Sequence, residues 1–416
     1  MLINNLNFRI FVFIFLLYHS TLFFSLGLYS VTTPPYVEPI VSSIFCFVIF
    51  LILKPYKINK FFLVSIIISF TSLLIGFYNK WYLYDILGDT FRFIAPFFAY
   101  AVGLQLLSKL NFIQLEYLVK LSIFILSIIA LFSILKISSI LITDQLLFSY
   151  SQRANLNIPI LLFLYIYLLF ICRPLSKVRL FNFFLFAPFF FIYMISDLSK
   201  TNFILMFVFL TVPLFIFKKH ILNIFLILLI SILISLTFKF VSERFVPMFN
   251  TISESIYEKE TSEIDSSTSS RLVESSSAIK ELSNSPFSFL IGYGSGALLF
   301  NVPNDTSGIS KYNFRDNGGL HHIHIEYVSI LYRNGIIGLF FYLFWTIYII
   351  KRSFKPILRY ENKMIRLSVF NIAIGILFLA LILTSFTNAS IYGKIGNGLL
   401  GSLVIVLSNL INKHEK

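Results

Sequence analysis

The residue types best suited to catalysis gather in one short segment, His321-His322-Ile-His324-Ile-Glu326. Three of the six histidines of the chain fall within its first four residues. A neutral imidazole near physiological pH is a natural general base for a hydroxyl group. Two other interpretations stay open: a polar membrane boundary without chemistry, or a zinc site formed by His322, His324 and a carboxylate. Zinc is disfavoured, because on a helix these two side chains lie on different faces and no matching cluster appears elsewhere.

A glycine-rich turn, Gly292-Tyr-Gly294-Ser-Gly296, precedes the histidines. Glycine lets a backbone approach a ligand closely, so Gly292 and Gly294 are candidate substrate contacts. A plain structural turn is the alternative. The turn is not a dinucleotide-binding fingerprint, because no strand–turn–helix unit surrounds it.

Composition indicates which elements must position these residues. The chain has 416 residues, of which 57% are hydrophobic and 12% are charged, and its mean hydropathy is +0.86. A soluble protein carries about 25% charged residues, so this chain is typical of a polytopic membrane protein. Cys46 and Cys172 lie in separate apolar segments, which excludes a disulfide framework and a cysteine-based metal site.

We predict an all-α, polytopic integral membrane protein with about 12 transmembrane helices and one large extracytoplasmic loop that contains short helices. Residues 1–241 hold nine spans, 242–320 form the loop, and 321–416 hold three spans. A spanning helix needs about 20 mostly apolar residues. On this basis the spans lie near 9–30, 37–53, 61–78, 91–108, 118–142, 156–172, 180–196, 201–217, 221–241, 322–350, 367–386 and 392–412.

Lysine and arginine concentrate in alternate connections, for example at Lys54, Lys57 and Lys60 and again at Lys351 and Arg352. The positive-inside rule therefore predicts that both termini are cytoplasmic. The same asymmetry accounts for the net charge of +14 without a nucleic-acid partner. No cytoplasmic segment could hold a nucleotide-binding domain and no P-loop occurs, so we expect extracytoplasmic chemistry that ATP hydrolysis in this chain does not drive.

Several basic residues fall at the outer ends of these predicted spans. Arg92, Arg153 and Lys200 stand at the outer ends of three helices, and Arg271 lies in the outer loop. A charge near mid-bilayer costs about 2.5–3.5 kcal/mol, so such residues usually face a polar cavity or snorkel to the interface. Their convergence favours a cavity, because guanidinium groups bind a diphosphate well.

The predicted outer loop has two parts that differ in composition. Its first part, 254–270, is acidic and rich in serine, which is typical of a flexible linker. The spacing of apolar residues then predicts a helix over Arg271–Leu282. Ser269 or Ser270 could cap its start, and Pro286 is expected to stop it.

In these features the chain resembles the O-antigen polymerase/ligase family of bacterial membrane glycosyltransferases. The resemblance covers the overall plan of about twelve spans, cytoplasmic termini and one large outer loop before the last helices. His324, Gly335 and Gly338 follow the family spacing of a histidine, a polar residue, nine others, glycine, two others and glycine, although Ile325 replaces the polar residue. The other matching stretches are Ser151-Gln-Arg153-Ala-Asn155-Leu-Asn157-Ile-Pro159, Asp197-Leu-Ser199-Lys200-Thr201 with lysine in place of arginine, and Arg271 through Pro286 to Gly292-Tyr-Gly294.

The resemblance implies glycosyl transfer from an oligosaccharide linked to undecaprenyl diphosphate, on the outer face of the bacterial inner membrane. A hydroxyl of an acceptor sugar attacks the anomeric carbon of the donor, and the lipid diphosphate leaves. His324 is then the candidate base, with Arg271 and Arg153 as the other catalytic residues. The residues expected to bind substrate are Arg92, Lys200, His321, His322, Glu326, Gly292 and Gly294.

The resemblance implies no cofactor and no metal. The expected partners are the lipid-linked donor, the bilayer and a membrane protein that regulates chain length. The loose agreement with tight family motifs favours the polymerase. Two alternatives remain: a ligase that moves finished glycan onto the lipid A core, and a flippase that transports lipid-linked oligosaccharide. A flippase is disfavoured because charges gather at the outer ends of the spans rather than at mid-membrane.

Overall fold

A computed structural model describes residues 59–124, 266–300, 318–321, 323–355, 365–385 and 395–414, with isolated positions elsewhere. Most of these residues are helical, and one isolated antiparallel bridge joins Leu299 to Leu320. Residues 112–124 are also helical. The labelled helices are α1 (Lys60–Tyr78), α2 (Leu83–Leu107), α3 (Ser266–Ser283), α4 (Pro286–Ile291), α5 (Glu326–Phe354), α6 (Ile365–Thr384) and α7 (Ile395–His414).

Four of the described helices, α1, α2, α5 and α6, are long and apolar enough to cross a membrane. The helical class and the membrane class are therefore confirmed. Helices α1 and α6 match the spans predicted at 61–78 and 367–386 within two residues. Helix α7 matches the segment predicted at 392–412, and its crossing of the membrane stays a prediction. The spans near 9–30, 37–53, 156–172, 180–196, 201–217 and 221–241, and most of 118–142, lie outside the described residues.

Helix α2 begins at Leu83, well before the expected start at 91. The early boundary was missed because Asp85 and Asp89 made this stretch look like an exposed connection. Both carboxylates are instead 1% exposed and lie inside the helix. Buried charges persist only when they are paired, and both carboxylates have partners distant in the chain: His321 for Asp85, and His321 and Arg333 for Asp89.

The helix predicted at Arg271–Leu282 is α3, and it begins earlier, at Ser266. Ser269 and Ser270 therefore lie inside the helix and do not cap its start. Pro286 does not directly follow α3 but opens the separate helix α4, where its fixed φ and missing N–H suit the first turn. Ser285 caps α4 by accepting a hydrogen bond from the Ser288 amide, 3.3 Å away.

Helix α5 begins at Glu326, so the histidine segment precedes it rather than forming part of a span from 322. The argument that helical geometry separates His322 from His324 therefore does not apply. Helix α5 is broken at Gly335, whose φ of 66° is left-handed. Residues 326–334 consequently form a short outer segment, and the long apolar part continues to Phe354.

Two apolar cores hold these elements together. The larger core lies between the membrane helices, where Trp345 packs against Phe97, Tyr100 and Phe378. The smaller core joins α3 to the outer segment of α5, and its buried members are Ala278, Leu282, Ala297, Leu299, Val302, Leu320, Ile323 and Tyr332. Apolar burial thus fixes α3 against the first turns of α5, where Glu274 contacts His324.

Candidate active site

His324 is bound by a carboxylate that the loop helix α3 supplies. Its ring Nδ1 lies 3.0 Å from both carboxylate oxygens of Glu274, and its backbone amide donates to Oε2 over 3.1 Å. Glu274 is fully buried, whereas the His324 side chain is 30% exposed. An ionised carboxylate only accepts hydrogen bonds, so Nδ1 carries the proton. In a neutral imidazole Nε2 is then the basic nitrogen, which is the arrangement of an oriented general base.

Arg271 lies on the same face of α3 as Glu274, because residues three apart on a helix are neighbours with Cβ atoms about 5–6 Å apart. Its side chain is half-buried. The ion pairs of the described part of the chain do not include Arg271. Arg271 and Glu274 thus share one face of α3, and Glu274 in turn contacts His324. A joint catalytic role of Arg271 and His324 stays a prediction.

A buried ionic cluster is centred on Asp89 of α2. Asp89 Oδ2 lies 2.6 Å from Arg333 Nε and 3.1 Å from His321 Nε2, and it accepts a hydrogen bond from the Gly296 amide over 2.9 Å. Arg92 lies at the edge of this cluster, with its guanidinium 3.9 Å from Asp89 Oδ1. One carboxylate therefore connects α2, α5, the glycine turn and the histidine segment.

Arg333 extends this cluster to the backbone beside the candidate base. Its guanidinium donates to the carbonyl oxygen of His321 and to the hydroxyl of Ser329. The His321 ring is 3% exposed, and its Nδ1 lies 3.8 Å from a carboxylate oxygen of Asp85. The two described histidines of the segment therefore differ: His321 is buried among charged groups, while His324 is partly exposed.

The glycine turn packs against three helices. A Cβ atom on Gly292 would lie 2.4 Å from the Arg333 carbonyl oxygen, one on Gly294 2.5 Å from the Gly76 nitrogen, and one on Gly296 2.8 Å from the Ile86 nitrogen. All three glycines have φ between 80° and 87°, which other residues rarely adopt. The close contacts and the positive φ angles explain why all three positions are glycine. Contact of Gly292 and Gly294 with a substrate stays a prediction.

The break in α5 supplies the acceptors for this turn. Because the helix stops being regular at Gly335, the Tyr332 and Arg333 carbonyls are available to other donors. The Tyr293 amide donates to the Tyr332 carbonyl over 2.8 Å, and the Gly294 amide donates to the Arg333 carbonyl over 3.0 Å. The amides of the glycine turn therefore pair with the carbonyls that the break in α5 leaves without a helical donor.

Glu326, expected to bind substrate, is fully buried. One carboxylate oxygen accepts from the Tyr342 hydroxyl, and the other accepts from the Ser385 hydroxyl over 2.9 Å. The Glu326 amide also donates to the Ser385 carbonyl over 3.2 Å. These contacts tie the start of α5 to the end of α6, and the substrate role of Glu326 stays a prediction.

Three of the predicted site residues, Arg153, Lys200 and His322, lie outside the described residues, so their roles stay predictions. Among the residues that the structure does describe, no group of three or more histidine, cysteine or acidic side chains could hold a metal ion.

Sequence reasoning missed Glu274, Asp89 and Arg333. Glu274 had a local signal, since it lies on the predicted loop helix one turn after Arg271. Asp89 had none, because Gly296 and His321 lie 207 and 232 residues away from it in the chain. Arg333 had none because its ion-pair partner, Asp89, lies on another helix.

A family model described as O-antigen ligase matches residues 185–343 of the chain. The matched range contains Arg271, Glu274 and His324, and it also contains the glycine turn and the break at Gly335. Asp89 and Arg92 precede it. Neither the curated proteins nor the solved structures contain a match to the chain.

Proposed function

We propose that this membrane protein, which belongs to the O-antigen polymerase/ligase family, is a polymerase that joins oligosaccharide repeat units carried on undecaprenyl diphosphate. The observation that carries the proposal is the Glu274–His324 pair. A buried carboxylate orients a partly exposed imidazole, and an arginine lies one helical turn away on the same face. This set of groups suits transfer of a glycosyl group from a diphosphate to a hydroxyl.

The depth of His324 fits a donor that is anchored in lipid. The basic last turn of α5, Lys351 and Arg352, marks the end expected at the cytoplasmic surface. Gly335 lies 16 residues before Lys351, or about 24 Å along the regular part of α5, so the outer boundary of a hydrocarbon layer of about 30 Å lies just beyond the break. His324 precedes the break by 11 residues, and we expect it at the head groups. In a lipid-linked glycan this is the level of the diphosphate and the first sugar.

In the proposed reaction the His324 Nε2 accepts the proton of the acceptor hydroxyl. The hydroxyl oxygen forms a bond to the anomeric carbon of the donor as the bond from that carbon to the diphosphate oxygen breaks. The electron pair of the broken bond stays on the diphosphate, where Arg271 stabilises the developing negative charge. Glu274 stabilises the imidazolium that forms. Arg153 and Lys200, which the family resemblance assigns to the same diphosphate, add positive charge.

A ligase is the second candidate, because the matching family model is described as O-antigen ligase. Both enzymes would use the same donor and the same base, and they differ in the acceptor. A polymerase transfers glycan to another lipid-linked unit, whereas a ligase transfers it to the lipid A core.

The banding pattern of surface polysaccharide in a strain lacking the gene separates these candidates. A polymerase defect leaves core with one repeat unit and no ladder. A ligase defect leaves bare core and accumulates lipid-linked polymer. A flippase defect leaves bare core with single lipid-linked units trapped inside, and either of the last two patterns would overturn the proposed polymerase.

A further inference from the structure

Helix α4 is an apolar element within the segment that the sequence assigns to the extracytoplasmic loop. Its six residues, Pro286–Ile291, carry no charge, and none of them is buried. Phe287 is 67% exposed, Phe289 42% and Leu290 46%. Three large apolar side chains on one short helix are unfavourable in water, and such patches mark an interaction surface.

The depth of α4 follows from its contact with the break in α5. A Cβ atom on Gly335 would lie 2.2 Å from the Leu290 carbonyl oxygen. Gly335 lies 16 residues before Lys351, or about 24 Å along the regular part of α5 at 1.5 Å per residue. This distance is less than the hydrocarbon thickness of about 30 Å. The end of α4 therefore lies at or below the outer surface of the hydrocarbon layer.

Helix α1 gives a second, independent measure of depth. The Ser295 amide donates to the Ser72 carbonyl over 2.9 Å, and a Cβ on Gly294 would lie 2.5 Å from the Gly76 nitrogen. Helix α1 begins at Lys60, so Ser72 and Gly76 lie about 18 and 24 Å along its axis. Both distances are less than the hydrocarbon thickness of about 30 Å. The glycine turn after α4 thus lies within the same layer.

The backbone amides of this segment have hydrogen-bond acceptors within the protein, as an environment without water requires. The Phe289 amide donates to the Ser285 carbonyl, and the Gly292 amide donates to the Ser288 carbonyl. Every amide from 292 to 297 has a protein acceptor: Ser288, Tyr332, Arg333 and Ser72 carbonyls, the Asp89 carboxylate, and the Gly294 carbonyl. Irregular backbone at membrane depth is tolerated only when its polar groups are satisfied within the protein.

The apolar surface of α4 continues an exposed apolar surface of α5. On α5 the exposed apolar residues Ile337, Phe340, Phe344 and Ile347 recur at helical spacing and form one stripe. Ile337 lies two residues after Gly335, where the end of α4 makes contact. We propose that residues 285–296 form a re-entrant element of the bilayer, in which Phe287, Phe289 and Leu290 contact phospholipid acyl chains.

This element has a consequence for α3, which is joined to α4 by only Asn284 and Ser285. Embedding α4 fixes the end of α3 at the membrane surface, and α3 carries Arg271 and Glu274. The inference concerns membrane topology and does not depend on the reaction that the protein catalyses.

Spin labels at single cysteines test the proposal in the full chain. The labels are placed at Phe287→Cys and Leu290→Cys in a Cys46→Ala/Cys172→Ala background, reconstituted in vesicles of phosphatidylethanolamine and phosphatidylglycerol. Leu272→Cys and Ile279→Cys on α3 are matched controls, since these apolar residues are 57% and 49% exposed in the same loop. Collision rates are measured with oxygen, which concentrates in lipid, and with a water-soluble nickel chelate.

We expect the oxygen-to-nickel collision ratio to be several-fold higher at positions 287 and 290 than at 272 and 279. Equal ratios at all four positions would overturn the proposal and make α4 part of a water-exposed loop. Dipolar broadening at position 287 that disappears when unlabelled protein is added would also overturn it, because a second copy of the chain would then cover α4.

Discussion

His324 and Glu274 are 50 residues apart in the chain, yet three contacts join them: Nδ1 to each carboxylate oxygen at 3.0 Å and the His324 amide to Oε2 at 3.1 Å. The carboxylate is fully buried and the imidazole is partly exposed. The helix that carries Glu274 is held in place by the small core around Leu282 and Tyr332. The orientation of the proposed base therefore depends on the folding of the loop onto α5.

Replacing Glu274 by glutamine should lower turnover on the order of 10²-fold, within the range of a general-base contribution. The amide keeps the volume of the side chain but does not enforce the Nδ1–H tautomer or stabilise the imidazolium. Initial rates of glycosyl transfer by purified, reconstituted protein measure the effect. Glu281→Gln is the matched control, since Glu281 is also a buried glutamate of α3 but binds Tyr332 and Phe300. An equal loss of turnover in both variants would contradict the role of Glu274.

Two of the described membrane helices could be predicted closely from the sequence. Helices α1 and α6 are uniform apolar runs, so hydropathy defines them within two residues. The start of α2 could not be predicted in this way. Asp85 and Asp89 are stable inside a helix only because His321 and Arg333 reach them from distant parts of the chain. Local polarity alone makes such a turn of helix look like an exposed loop.

The candidate site was predictable only in part, for a similar reason. The residue types identified three candidate histidines, and the family resemblance selected His324 and gave Arg271 its proposed role. The burial that distinguishes His321 from His324 depends on long-range contacts, as does the selection of Glu274 as the carboxylate partner. The family model matches residues 185–343 and does not assign these roles.

Arg271→Gln should lower turnover about 10²-fold, the typical cost of removing one donor that stabilises a developing negative charge. The loss should fall mainly on turnover rather than on donor affinity if the charge grows in the transition state. Lys280→Gln removes the same charge from an exposed position of the same helix and is the control. Steady-state kinetics with varied donor concentration test both variants, and an unchanged rate for Arg271→Gln would exclude it from the site.

Arg333→Met should destabilise the protein by about 3–5 kcal/mol, because it leaves the buried carboxylate of Asp89 without its closest cation. The Asp89→Asn/Arg333→Met double variant should be less destabilised than the single one, since it also removes the unpaired charge. Thermal unfolding in detergent compares the two. A single variant as stable as the wild type would show that the cluster does not hold these helices together.

Gly335→Ala should sharply reduce the folded fraction. Its Cβ would lie 2.2 Å from the Leu290 carbonyl oxygen, and its φ of 66° is unfavourable for alanine. Gly318→Ala is the control: its φ is 78°, but a Cβ there has no atom within 4 Å. The control should therefore lose only about 1 kcal/mol from backbone strain. Size-exclusion chromatography of the extracted membrane protein reports the outcome, and equal profiles for the two variants would contradict the close contact.

The central claim is that His324 acts as the base and that Glu274 acts through it. The most direct measurement is the rate of glycosyl transfer by reconstituted wild type, His324→Ala and the Glu274→Gln/His324→Ala double variant, with the undecaprenyl-diphosphate-linked repeat unit as substrate. The account predicts that His324→Ala lowers turnover by about 10²–10⁴-fold and that the double variant is no slower. Wild-type turnover in a folded, membrane-inserted His324→Ala protein would contradict it.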